Sequence, residues 1–304
     1  MPSIHQVNHP GREQNISYRV RDNHDDDYEF YKDSTTKGIR FWNRCKIKGK
    51  SNSHKRKFME VEGKYIDSLH AKKEKSGSLR FWGEYEGHSQ FELILIPKRT
   101  KYWNEPYAVH KPFFCDKDIM DQNTDPFVFG DTFYYSVCKK NKLKNLQPGD
   151  IVIFGSEFGK KNKVQFYLDT VFVVDSQNPT IESNKVKDKI FLESTINRLG
   201  NDDCSNGIRT IHIGQKFEGN KIFSFFPAKP NDGSYFGRPI LNTVKLGFQA
   251  PGARTGSFSR ELEKNESIEG IWEQIVKSVI DQNFVLGTHA NQLVVHKNLP
   301  KSPL

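Results

Sequence analysis

The stretch from Gln122 to Asp175 constrains the fold more than any other part of the chain. Its second half holds two runs dominated by β-branched and aromatic residues, Ile151 to Gly155 and Val164 to Val174, separated by the polar loop Ser156 to Lys163. Such runs predict strands, so the pair reads as a hairpin with a long basic loop. Pro148-Gly149-Asp150 supplies a tight turn ahead of the first strand. Ile151, Val152, Ile153 and Phe154 leave neither face polar, which predicts a central strand covered on both sides. The first half, Asn123 to Lys144, packs Asp125-Pro126-Phe127, Phe129-Gly130-Asp131, further aromatics and Cys138 ahead of a basic segment. Proline restricts its predecessor and glycine permits positive φ, so this half reads as a constrained loop.

At 304 residues the chain has length for one large or two ordinary domains, with a core that needs no disulfide or metal staple. No apolar run is long enough to span a membrane. Met1 to Gln14 has neither an apolar signal core nor an arginine-rich amphipathic pattern, so a cytoplasmic protein is expected. Cys45, Cys115, Cys138 and Cys204 form no CxxC pair, which argues against a zinc ribbon and a disulfide framework. The net charge of +9 favours a polyanionic partner, because neutralising phosphates releases counterions. Aromatics interleaved with the cations suit exposed bases.

Several further segments bear on chemistry. Asn8-His9-Pro10-Gly11 is a turn signal after a short strand, read as a surface turn. Asp25 to Asp27 reads as a solvated acidic loop and Lys46 to Lys57 as a basic, serine-rich loop that either contacts phosphate or is merely solvated. Phe58, Val61, Tyr65 and Leu69 recur at helical spacing, predicting a helix over 57–71 that Gly63 weakens. Glu84 and Glu86 fall on one face of an aromatic strand and are expected to face solvent. Phe91 to Pro97 and Ile208 to Ile213 predict strands, as does Lys221 to Phe226. Phe225 to Pro230 and Gly233 to Pro239 predict shaped loops, with Tyr235 or Phe236 for stacking. Helices are expected over Lys189 to Leu199, capped by Gly200, and over Ser267 to Asp281, with an apolar stripe of Ile268, Ile271, Trp272, Ile275, Val276 and Val279. Leu293 to His296 predicts a last strand. No GxSxG, HExxH, Walker or dinucleotide motif is present, and no histidine pair has metal-binding helical spacing. No cofactor and no metal are implied.

The order Asp125-Pro126-Phe127 with Gly130, Cys138-Lys139, Pro148-Gly149-Asp150-Ile151, the Gly155-Ser156 turn and the Tyr167 to Val173 strand resembles the nucleotide-modification-associated domains. More loosely it is similar to the PUA-like group that includes the EVE and ASCH domains. The likeness covers about a fifth of the chain. It implies an α+β, mainly β fold with a PUA-like β-barrel core and peripheral helices. On that basis residues 1–78 form a basic extension of mixed strands and helix, and residues 79–300 the barrel domain with a C-terminal covering helix. The resemblance also implies a module that binds nucleic acid, DNA in the first instance, in DNA modification or defence against foreign DNA.

A flipped base needs an aromatic or apolar slot for its faces and fixed amide or carboxylate groups for its edge. Asn123, Asp125, Phe127, Phe129, Tyr134 and Tyr135 supply both, with Trp82 as a stacking wall. The competing reading makes at least two of Phe127, Phe129 and Phe133 barrel core. Lys55, Arg56, Lys139, Lys140, Lys142 and Arg238 are the candidate phosphate contacts. The alternative function is an enzyme acting on nucleotides or bases, such as a transferase, glycosylase or nuclease. Its candidate catalytic residues are Asp125, Asp131, Tyr134 and Lys139, with aspartate as base or nucleophile.

Overall fold

The computed structural model describes residues 2–9, 40–42, 56–93, 108–116, 124–136, 142–159, 163–198, 208–219, 221–230, 237–252 and 255–297. Its first strands are β1 (Ser3–Asn8), β2 (Arg40–Trp42), β3 (Arg56–Ile66), β4 (Lys75–Glu84), β5 (His88–Leu93) and β6 (Ala108–Cys115). The middle of the chain gives β7 (Tyr134–Tyr135), β8 (Ile151–Phe158), β9 (Gln165–Val173), β10 (Thr180–Glu182), helix α1 (Lys189–Ser194) and β11 (Thr210–Ile213). After these come β12 (Phe226–Pro230), β13 (Ile240–Leu241), β14 (Gly256–Glu261), helix α2 (Ile268–Ile280), β15 (Val285–Ala290) and β16 (Val294–His296). The described fold is therefore mainly β.

β8 lies at the centre of a five-stranded sheet ordered β13-β9-β8-β1-β14, parallel to β1 and antiparallel to β9. Its strand-start turn is tied down by Asp150, whose carboxylate accepts from Ser3 N at 2.6 Å and Gln147 N at 2.7 Å. Both faces are covered, as the apolar run predicts. Val152 and Phe154 join the core that holds Phe127, Phe129, Phe172 and Phe226, while Ile151 and Ile153 pack with α2. α2 follows its sequence pattern closely: the six stripe residues are its buried ones, and Ser267 caps it by accepting from Gly270 N at 3.0 Å. Trp272 anchors the helix further, donating from Nε1 to Phe223 O at 3.0 Å.

The second large sheet, ordered β15-β12-β4-β3-β6-β5-β2, curls so that β15 also pairs with β3. β3, β4, β12 and β15 thus close a small four-stranded barrel. β16 joins β6, and β10-β11-β7 make a third, minor sheet. Pairings cross residue 78 in both large sheets, since β1 bonds β8 and β14 and β3 bonds β4.

Three expectations are corrected here. The helix expected over 57–71 is strand β3, paired with β4 from Arg56↔Glu84 to Tyr65↔Lys75. Such a ladder outweighs a local periodicity. Gly63 shows why a weak helix residue stands there: a Cβ on it would lie 2.2 Å from His289 O, where β15 closes the barrel. Phe226–Pro230, expected as a loop, is strand β12. It pairs with β15 through residues 226–228 and with β4 through residues 229–230, so Pro227 and Pro230 each sit where a single ladder flanks the strand. Glu84 and Glu86 are buried, at 3% and 8% exposure, not solvent-facing.

Smaller shifts follow the same logic. α1 stops at Ser194 and continues as a 3-10 turn over Ile196–Arg198, and β5 begins at His88, ahead of the run that predicted it. Gly200, Tyr235, Phe236, the acidic triplet, residues 46–55 and Cys45, Cys138 and Cys204 lie outside the described residues. Cys115 is buried. Among the described residues no helix is long and apolar enough to cross a membrane.

Candidate functional site

The β8–β9 hairpin carries a bulge between Phe154 and Gly155 that shifts the register past Thr170 to Leu168. A bulge re-aims the side chains around it. Asp169, the residue passed over, is the one charged residue of β9 and is 2% exposed. A buried charge needs partners, and Asp169 has two. Arg56 donates from Nε to Oδ2 at 2.5 Å, and Arg238 donates from Nη2 to Oδ1 at 2.5 Å. The shared carboxylate holds two guanidiniums that would otherwise repel.

Arg56 extends the chain of charge toward β1. It donates from Nη1 to Glu84 Oε2 at 3.4 Å and from Nη2 to Gly155 O at 3.1 Å. Glu84 in turn meets His9 Nδ1 at 2.5 Å. Burial pulls the His9 pKa down, but the charge of Glu84, its hydrogen bond and the charge of Asp125 outweigh this and leave it raised. Thr124 belongs to the same corner, donating its hydroxyl to Glu84 O. The turn at His9, expected at the surface, is therefore bound to a buried acid.

At the other end Arg238 lies between two rings, its Cζ 5.7 Å from the Trp82 centroid and 5.4 Å from that of Tyr167. Nη2 also donates to Tyr167 O at 3.1 Å, whereas Nε and Nη1 are buried without a hydrogen-bond partner. Burial lowers the Arg238 pKa to about 10 against the opposing pull of Asp169. Burial likewise raises the Tyr167 phenol above its ordinary value, opposed by Arg238. Tyr167 remains half-buried, and the half-buried Phe158 ring lies 6.1 Å from it at the loop end of the hairpin, next to the lysine-bearing loop.

A second polar knot sits on the other face of the sheet. Asn8 Nδ2 donates to Glu157 Oε1 at 2.7 Å, Gln6 Nε2 to Asn8 Oδ1 at 2.7 Å, and Gly252 N to Glu157 Oε2 at 2.7 Å. It fastens the 248–252 segment to β1 and β8. Among the described residues no group of three or more His, Cys, Asp or Glu is placed to hold a metal ion.

The residues expected at a base site divide. Asp125 is buried and its charge reaches His9, and Trp82 reaches Arg238, so both belong to the charged chain. Phe127 and Phe129 are fully buried and meet edge to face at 5.6 Å, and Tyr135 packs on Phe154 at 5.0 Å. These three fill the core between the sheets. Tyr134 is half-buried and stacked 4.6 Å from Phe191, with its phenol raised by burial; Asp131 is exposed. Of the phosphate candidates, Arg56 and Arg238 are buried and ion-paired, and Lys142 opens the short 3-10 turn Lys142–Asn145. Asn123, Lys55, Lys139 and Lys140 lie outside the described residues.

Sequence reasoning passed over Asp169, Tyr167, Phe158 and Ser156. For Asp169 a signal existed: one acid inside QFYLDTVFV has to be paired if the strand is central. No protein-family model, no curated protein and no solved structure matches this chain, so its own chemistry carries any functional reading.

Proposed function

We propose that the chain is a nucleic-acid-binding module that recognises DNA and takes a flipped or modified base against the loop end of the β8–β9 hairpin. The observation that carries this reading is the half-buried pair Phe158 and Tyr167, backed by the buried cation Arg238 and continued by Lys163 in a loop that also holds Lys160 and Lys161. Rings beside cations stack bases and neutralise phosphates together. A PUA-like barrel, acting in DNA modification or defence, is the finer form of the proposal. The closed barrel of β3, β4, β12 and β15 and the turn-led strand β8 support it.

The test is titration of the full chain with labelled single-stranded and duplex DNA at two salt concentrations. Binding should weaken as salt rises, and Tyr167→Leu should weaken it about tenfold or more, the worth of one base–aromatic stack. Absence of binding at low salt would overturn the proposal. A second reading, turnover of a base, is favoured by the His9–Glu84 contact, since an imidazole with raised pKa on a buried carboxylate makes an acid–base pair. Released base or cut strand in the same samples, lost in His9→Gln, would select it.

A further inference from the structure

We infer that Arg238 and Ser156 donate hydrogen bonds to an uncharged oxo group of a nucleobase, and not to a phosphate. This inference rests on the nucleic-acid reading above and specifies what its site recognises. Arginine has five N–H donors. Arg238 commits two from Nη2, to Asp169 and to Tyr167 O, and its Nε and Nη1 are left without an acceptor in a side chain 1% exposed. Buried donors left unmade are costly, so their presence points to an acceptor that arrives with a ligand.

Ser156 supplies a second unmet group. Its hydroxyl is fully buried and has no partner. Ser156 stands directly opposite Tyr167 in the β8–β9 ladder, so the two side chains share one face of the sheet. That face is the one on which Arg238 lies over the Tyr167 ring. Unused donors from β8 and from the segment that leads into β13 therefore gather at one ring.

Charge decides what kind of acceptor fits. Arg238 already donates to the Asp169 carboxylate, which it shares with Arg56. A phosphate would add one or two uncompensated negative charges within reach of Asp169, and a buried unpaired charge is strongly unfavourable. A base carbonyl accepts hydrogen bonds and adds no charge. Thymine, cytosine and guanine carry such an oxygen, and adenine carries none.

The experiment measures binding of the full chain to oligo(dT) and oligo(dA) of equal length, for the native protein, Ser156→Ala and Arg238→Lys, with thermal melts to confirm folding. Oligo(dA) stacks on itself, so the diagnostic quantity is the change in the dT:dA ratio between native protein and variant. Each variant should cut that ratio by about tenfold, one hydrogen bond's worth. Ser156→Ala removes only a hydroxyl and keeps the test alive if Arg238→Lys does not fold. A ratio unchanged in Ser156→Ala, or displacement of oligo(dT) by inorganic phosphate at matched ionic strength, overturns the inference and leaves nucleic-acid binding standing. Failure to bind either oligonucleotide would sink both together.

Discussion

Between Thr124 and Ser136 the rings of Phe127, Phe129, Phe133 and Tyr135 are all at most 5% exposed and pack on one another, on Phe154, Phe172 and Phe226. Between Ser156 and Asp169 the rings of Phe158 and Tyr167 stay half-buried beside a buried arginine that has hydrogen bonds to spare. Both stretches are aromatic-rich and both contain an acid. They differ in saturation. In the first, rings meet rings and the backbone closes on itself, with Phe127 and Tyr134 exchanging both N–H···O bonds at 2.9 Å. In the second, Arg238 Nε and Nη1 and the Ser156 hydroxyl remain unused. Aromatic density alone marks a core as readily as a site, and unspent hydrogen-bonding capacity separates the two.

The largest effect that tests this contrast is a truncation in the first stretch. Phe127→Ala should cost about 3–5 kcal/mol of stability, since a fully buried phenyl ring leaves a cavity among Phe129 and Phe191. DNA affinity of the folded variant should be unchanged. Urea denaturation gives the first quantity, and titration well below the melting temperature gives the second. A folded Phe127→Ala protein with lost affinity would return the stretch to the site.

Two histidines extend the contrast to pH. His212 sits at the core edge near Tyr135, and burial lowers its pKa to about 4 against a hydrogen bond it donates to the Leu143 backbone and the charge of Asp150. The unfolded chain then binds a proton that the folded chain refuses, so stability falls as pH drops from about 6.5 toward 4, by roughly 3 kcal/mol at pH 4. His212→Gln should flatten that limb. His9 has the opposite sign. Its raised folded pKa gives a contribution present in full below the unfolded value and lost as pH rises through the folded one. Denaturation midpoints of His9→Gln should converge on those of the native chain above that range. Identical slopes for both variants would erase the distinction between core and site.

The sequence made local features legible and long-range ones not. α2 was readable because its stripe repeats within one turn and its cap is adjacent. β8 was readable because four apolar residues in a row admit few environments. β3 was not, since Phe58, Val61 and Tyr65 satisfy a helical period, and only the partner strand β4 decides otherwise. The charged chain was harder still. Arg56 reaches Glu84 across 28 residues and Asp169 across 113, and Arg238 reaches Asp169 across 69. Nothing local to any of the four announces the other three. A basic run therefore suggested that Arg56 was a solvated phosphate contact, when it is buried between two carboxylates.

The smallest stability effect is expected where the binding effect is clean. Replacing Lys160, Lys161 and Lys163 by Gln changes the hairpin loop, of which Lys163 is exposed, and should alter stability by no more than about 0.5 kcal/mol. Each lysine that neutralises a phosphate contributes about 0.7 to the slope of log affinity against log salt for single strands, so losing three should flatten it by about 2. Preference between oligo(dT) and oligo(dA) should persist, because phosphate contacts position a strand without reading it. Arg56→Gln is the informative contrast. It too removes one positive charge, but it strips Asp169 and Glu84 of a buried partner, so its effect should appear as lost stability and not as a flatter salt slope. A flatter slope in Arg56→Gln with stability intact would move the phosphate contact inward, onto the charged chain itself.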